Sequence, residues 1–438
     1  MAILVCIVIL PFILYCAAKR NLYSVKLLVL MCFFQNIFLV ILAPYIDKTG
    51  YNIIVLIKEV YVALSILVGI FSMKKIHKFD AYCYFCIIIL SFCLLAHSKG
   101  TWMQILVSVR QLYLPFLFYL FARQINLSEN EFIKFIKWFI GLGVLSCGFG
   151  AIELAIGDSF WQLFHYEKYS MLKIGQANVV YGYFNSIAMY TYDLHMFFDK
   201  MIKRMSSVLV DPVILGQLLS LAALLLFFVK GLFKYQKAWF CVIAISVILT
   251  FAKGGIVIAM ITGAVLVKQI YGKRMLGNAL LFFGTLLFIY ALFFSVESGS
   301  SGSEHLAGLF DHINSFPYHP FGTGIGSEGN LAINMAGLET EKSGESFVGT
   351  VIGQLGIGIF LYTTYTYGLY HQTVRRLTTY SNKCTNNILK TVNVATLVLF
   401  LTSFINNTAI SFTSCFIYIV ILGIRIVPDK ETTKKLNI

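Results

Sequence analysis

Apolar runs of about twenty residues recur along the whole of this 438-residue chain, and little but a helical membrane protein can be built from them. Hydrophobic residues make up 58% of the chain and charged residues 12%. A soluble domain needs far more polar surface than that. With only seven prolines and no period-2 alternation, helices are favoured over an outer-membrane barrel. Spans are expected near 2–18, 22–43, 53–72, 81–96, 103–122, 132–156, 207–229, 237–252, 254–271, 277–296, 347–370, 387–405 and 408–427.

The net charge of +14 suits topology better than nucleic acid, because the Lys and Arg residues sit in short clusters between apolar runs. Clusters around Lys19, Lys74, Lys134, Lys230, Lys268 and Arg375, and in the tail from Arg425, fall on alternate ends of the spans. Cytoplasmic loops are enriched in Lys and Arg, which places these clusters and the C-terminus inside. Thirteen spans put the N-terminus outside. If the first run is not a span, twelve remain, and the long loops stay outside either way. The first run has no positive n-region and no A-x-A cleavage site, so it reads as a span rather than a cleaved signal.

The expected organisation is therefore N-terminal membrane helices over 1–156, a first long extracytoplasmic loop over 157–206, and central helices over 207–296. A second long extracytoplasmic loop over 297–346 follows, then C-terminal helices and a cytoplasmic tail over 347–438. The second loop opens with Ser298-Gly-Ser-Ser-Gly-Ser303, which reads as a flexible linker. Neither loop contains cysteine, so no disulfide is expected there, and nearly all of the ten cysteines lie in apolar runs. Cys83 and Cys86 form a CxxC without a second pair, and read as small apolar residues on one helix face. No internal repeat is visible, which weighs against transporters built from related halves.

Chemistry-bearing residues gather at the outer ends of spans. Asp211 is a good N-cap and Pro212 suits the first helical position, so a helix starts there with Arg204 just before it. A helix N-terminus beside an arginine is a plausible anion site, to which Lys200 and Lys203 add charge; the alternative is an interfacial basic cluster. Lys253, in Thr250-Phe-Ala-Lys253-Gly254-Gly255, occupies a very short outer turn. Arg110 lies inside an apolar run, where an unpaired charge costs at least a few kcal/mol; for both, an internal salt bridge or a snorkelled side chain is the alternative.

The second loop holds His312, His319, Glu328, Glu339, Glu341 and Glu345, and its histidines are too irregularly spaced to suggest a metal site. Gly324-Ile-Gly326-Ser-Glu-Gly329 matches GxGxxG, but no βαβ unit surrounds it, so it is no dinucleotide fingerprint. Gly322, Gly324 and Gly326 let backbone approach a substrate or a neighbouring helix. Glu345, at the mouth of the span containing Gly349, Gly353, Gly356 and Gly358, is either a general base or a solvated boundary residue. Trp161, Tyr166, Tyr181, Tyr183, Tyr190 and Tyr192 either stack on sugar faces or form an interfacial belt.

Four pieces, Arg204…Asp211-Pro212…Gly216, Thr250…Lys253-Gly254-Gly255, His319-Pro320-Phe-Gly322-Thr-Gly324-Ile-Gly326 and Glu345-Ser346…Gly353-Gln-Leu-Gly356-Ile-Gly358, carry a resemblance. In their order and position the chain resembles the O-antigen polymerase and O-antigen ligase superfamily of bacterial surface-polysaccharide assembly, over about Arg204 to Ile359. The resemblance implies a polytopic, membrane-embedded glycosyltransferase of the C class, in the bacterial cytoplasmic membrane, with its long loops extracytoplasmic. Two departures stand out. Lys253 occupies a position where the family usually has Arg, which keeps the charge but loses the bidentate fork. Glu345-Ser346 replaces the His-Asn pair usual in ligases, which favours a polymerase.

The activity so implied is metal-independent and cofactor-free. A sugar hydroxyl of a lipid-linked repeat unit attacks the anomeric carbon of a glycan on undecaprenyl pyrophosphate, and the lipid pyrophosphate leaves. Arg204, Lys253 and Arg110 would meet the pyrophosphate; Glu345, and after it His319, would take the hydroxyl proton. The implied partners are the lipid-linked glycan, a chain-length regulator and a flippase. The alternatives are a ligase passing finished glycan to another acceptor, and a polysaccharide flippase, which the concentration of noncytoplasmic charge in two long loops disfavours. A sensor or structural membrane protein is a further alternative that composition leaves open.

Overall fold

Helices account for nearly all of the regular structure in the computed structural model, which describes residues 2–70, 76–174, 179–180, 183–184, 189–191, 202–297, 301–328, 346–377, 379–380, 382–404 and 416–427. In chain order they are α1 (Ala2–Lys19), α2 (Leu22–Leu42), α3 (Lys48–Ile70), α4 (Lys78–Ala96), α5 (Trp102–Arg123), α6 (Glu129–Ile156), α7 (Asp158–Leu163), α8 (Tyr166–Ile174) and α9 (Pro212–Phe228). Then come α10 (Gln236–Leu249), α11 (Lys253–Tyr271), α12 (Arg274–Glu297), α13 (Ser301–Ser315), α14 (Phe347–Leu355), α15 (Ile359–Leu377), α16 (Lys383–Thr402) and α17 (Phe416–Gly423). Among the described residues, eight helices are long and apolar enough to cross a membrane. The chain thus has the architecture of an all-α polytopic membrane protein.

Helix starts follow local chemistry. Thr101 and Gln104 form a capping box at α5, as do Ser128 and Glu131 at α6. Asp211 Oδ1 accepts from the Val213 and Ile214 N–H groups, with Pro212 at the first helical position, as the sequence predicts. The expected flexible linker is helical from Ser301, where α13 begins; Ser298 to Ser300 lie outside the described residues. Cys83 and Cys86 are both buried on α4.

Interhelical polar contacts fix how the bundle is threaded. Arg110, in the first half of α5, meets Glu59 in the middle of α3, while Gln124 Nε2, just past α5, donates to Ile66 O near the end of α3. The two helices therefore run parallel, and the α2–α3 and α4–α5 connections share one end of the bundle. The Asn36 amide on α2 reaches Leu209 O, and Met205 N donates to Leu249 O at the end of α10. In the second loop, the Lys99 N–H and Ile325 O are paired, and Ile325 N donates to His97 O. The segments around Met205–Leu209 and around Ile325 thus sit at that same end.

The opposite end is closed by a short parallel ladder of β1 (Asn126–Ser128) and β6 (Arg425–Val427), with Arg123 bonded to the fully buried Asp80 at 2.9 Å and Arg425 3.6 Å from it. Two further two-stranded ribbons lie in the first loop: β2 (Val179–Val180) with β3 (Tyr183–Phe184), and β4 (Tyr190–Thr191) with β5 (Ile202–Lys203).

Candidate functional site

Arg204 leads into α9 through a backbone that is held tightly and under strain. Ser207 and Val210 have φ of 52° and 56°, and Phe251, in the facing turn, has φ of 48°. Non-glycine residues in this region cost about 1–3 kcal/mol each and persist only where the surroundings impose them. The imposing group here is Glu153, fully buried near the end of α6. Its carboxylate accepts from Ser206 N at 3.1 Å, Ser207 N at 2.6 Å, Ser206 Oγ at 2.5 Å and Trp161 Nε1 at 2.8 Å. Four donors satisfy a charge that the membrane interior would otherwise reject.

So anchored, Arg204 turns its guanidinium onto the α10–α11 connection. Nε donates to Thr250 O at 2.9 Å and Nη2 to Phe251 O at 3.5 Å. Two residues further on, Lys253 opens α11, whose N-cap, Ala252, has no side chain able to satisfy the first-turn N–H groups. The helices that carry these cations cross at two glycines. A Cβ on Gly216 would lie 2.4 Å from Ala252 Cβ, and one on Gly255 would lie 2.7 Å from the Gly216 carbonyl. Ser220 Oγ bonds both Gly216 O and Gly255 O across the crossing. The first two sequence pieces therefore form one junction: a guanidinium, an ammonium and a helix N-terminus that favours anions. Lys203 is engaged elsewhere, with Asp158 at 3.0 Å. Lys200 lies outside the described residues.

The third and fourth pieces also meet. The span expected over 347–370 is broken: α14 ends at Leu355, Gly356 to Gly358 form a 3-10 turn, and α15 continues from Ile359. The Gly-rich turn fills the break. Ile357 N donates to Pro320 O, Thr323 N to Gly353 O and Gly324 N to Gln354 O. Gly322, Gly324 and Gly326 have φ of 78°, 116° and 97°, conformations that favour glycine. A Cβ on Gly322 would overlap the Gln354 backbone, and one on Gly326 would come 2.4 Å from Lys99 O. Close approach to neighbouring protein segments, one of the two uses expected of these glycines, is present. His319 is exposed on the turn, its backbone N–H bonded to Ser315 O. Glu345, Glu339 and Glu341 lie outside the described residues; Ser346 caps α14 through Gly349 N.

Beside the break lies a group that the sequence records but does not single out. His312 on α13 is buried, with Nε2 3.6 Å from Glu328 Oε2. Thr323 Oγ1 is 2.6 Å from Ser327 Oγ and 3.4 Å from Glu328 Oε1. Gly353 makes room: a Cβ there would sit 2.4 Å from the His312 ring and 3.1 Å from Glu328 Cγ. The Gln354 amide donates to Glu328 O and Ser108 Oγ, while its buried carbonyl oxygen has no hydrogen-bond partner.

Arg110 is paired inside the bundle. Its Nη2 lies 2.8 Å and its Nε 3.1 Å from Glu59 Oε1, and Lys58 Nζ lies 3.4 Å from the same oxygen. The internal salt bridge, one of the two readings of Arg110, is therefore formed. Trp161 and Tyr166 are buried among Phe160 and Tyr169, so their faces are closed to sugars. Tyr190 hydrogen-bonds Asp158; Tyr181 and Tyr192 lie outside the described residues.

Glu153 is the residue the sequence reading missed. Its charge in an apolar stretch says that it must be paired but not with what, and only the chain folding back at Ser206 shows its role. No known family model matches the chain, and no curated protein matches it either.

Proposed function

We propose that the chain is a membrane glycosyltransferase that polymerises lipid-linked oligosaccharide repeat units at the outer face of the bacterial cytoplasmic membrane, in a bundle of twelve or thirteen spans. The reading rests on one observation: Arg204 hydrogen-bonds the turn from which Lys253 and α11 begin. A departing lipid pyrophosphate needs fixed cations and oriented N–H groups in a medium of low dielectric, where each pairing is worth much more than in water. Arg204 supplies a planar fork and Lys253 a point charge. We assign Arg110, answered by Glu59, to holding α3 against α5. Glu345 and His319 remain the acceptor-side candidates from the sequence.

The test is reconstitution. The purified protein in vesicles should extend undecaprenyl-pyrophosphate-linked repeat units into a ladder. Arg204→Ala and Lys253→Ala should reach the membrane in normal amounts and give none. Wild-type ladders from both variants refute the assignment. Transfer of finished glycan to a second acceptor, without a ladder, identifies a ligase; movement of substrate across the vesicle without elongation identifies a flippase.

A further inference from the structure

We infer that Glu328 is the group that takes the proton from the acceptor hydroxyl, and that His312 and Thr323 hold it in place; the inference rests on the polymerase reading. Glu328 is the accessible member of a largely enclosed polar cluster, its side chain 22% exposed against 8% for His312. Its two oxygens are held loosely, one at 3.4 Å by Thr323 Oγ1 and the other at 3.6 Å by His312 Nε2. Both distances exceed a good hydrogen bond, which leaves each oxygen able to accept an incoming O–H. The buried, unpartnered Gln354 oxygen beside it is a second acceptor with nothing to accept from.

Placement agrees with the chemistry. Glu328 follows the turn that fills the break between α14 and α15, at the loop-bearing end of the bundle. From there, Ser403 at the end of α16 accepts from Val348 N at the start of α14, and α16 packs along α9 and α11, which carry the cationic junction. Proton acceptor and leaving-group site thus lie at one end of the bundle, joined through α16. In the step, the acceptor O–H bond breaks and its proton passes to a Glu328 oxygen. The acceptor oxygen forms the new bond to the anomeric carbon, and the carbon–oxygen bond to pyrophosphate breaks with its electron pair leaving on the pyrophosphate. Glu328 then returns the proton to water.

The experiment uses the full chain in vesicles with lipid-linked repeat units from cells lacking it. Glu328→Gln should lower kcat ~100-fold or more, as loss of a general base does, with KM within about three-fold. Formate should restore part of the activity of Glu328→Gly. His312→Gln should move the acid limb of the pH–rate profile, which a merely structural residue would not do. An active parent whose Glu328→Gln variant extends chains at the parental rate and pH profile overturns this inference alone. So does a well-folded Glu328→Gly variant that formate leaves inert. A parent that extends nothing removes the polymerase reading and this inference with it.

Discussion

Replacing Glu153 with glutamine isolates the anchor beneath Arg204. One carboxylate oxygen accepts from two backbone N–H groups, Ser206 and Ser207; the other accepts from Trp161 Nε1 and Ser206 Oγ. A glutamine has one carbonyl oxygen, so it can serve only one of these pairs. If that oxygen faces the backbone, the indole N–H meets an NH₂ group and is left buried without a partner, while the Ser206 hydroxyl can rotate and accept. The reverse orientation strands two backbone donors and is worse. An orphaned buried donor costs about 1–3 kcal/mol, and the surviving bonds lose their charge assistance, about 1 kcal/mol more between them. Glu153→Gln should therefore destabilise by about 2–4 kcal/mol. The loss should fall first on the strained backbone at Ser207 and Val210, and so on the aim of Arg204. Denaturant unfolding in detergent micelles reads the stability, and the ladder assay reads the aim. A Glu153→Gln protein within about 0.5 kcal/mol of the parent, a margin usual for surface substitutions, refutes the reasoning.

Three further substitutions probe the packing of the bundle. Gly255→Ala places a methyl 2.7 Å from the Gly216 backbone, so α9 and α11 must part by about 1 Å; overpacking of this kind costs about 1–3 kcal/mol, and the displacement should lower ladder synthesis. Unchanged unfolding and activity would show that the crossing is looser than its geometry. In the Lys58–Glu59–Arg110 cluster, Glu59→Gln removes the carboxylate charge that both cations meet and should cost about 3–5 kcal/mol, as breaking a buried pair does. Arg110→Met leaves Glu59 still paired with Lys58 and should cost clearly less in the same unfolding assay. If Arg110→Met keeps its stability but loses the ladder, Arg110 meets the pyrophosphate after all.

Where chemistry is local, the sequence shows it. The Asp211 cap, the start of α9 at Pro212 and the short turn between α10 and α11 are all visible in adjacent residues. The break at Gly356 is not, because it depends on Pro320 O reaching Ile357 N from across the loop. Glu153 and the Glu59 partner of Arg110 are hidden for a related reason. Inside a membrane, helices are apolar on nearly every face, so periodicity does not say which side faces which neighbour. A charged residue in such a run announces that it must be paired, but its partner is a fact of tertiary structure.

The glycines connect these two kinds of information. In the sequence they punctuate four short pieces; in the structure they are the points at which the pieces touch. Gly216 and Gly255 let α9 and α11 cross beneath Arg204 and Lys253, and Gly322 and Gly356 let the turn enter the broken span. Such spacing reports backbone approach between segments far apart in the chain, before it reports anything about a ligand. That explains why the pieces pair as first with second and third with fourth. Each pair is one close contact written twice in the sequence, and the charged and polar side chains that each contact carries, Arg204 with Lys253 and His312 with Glu328, are held at its edge.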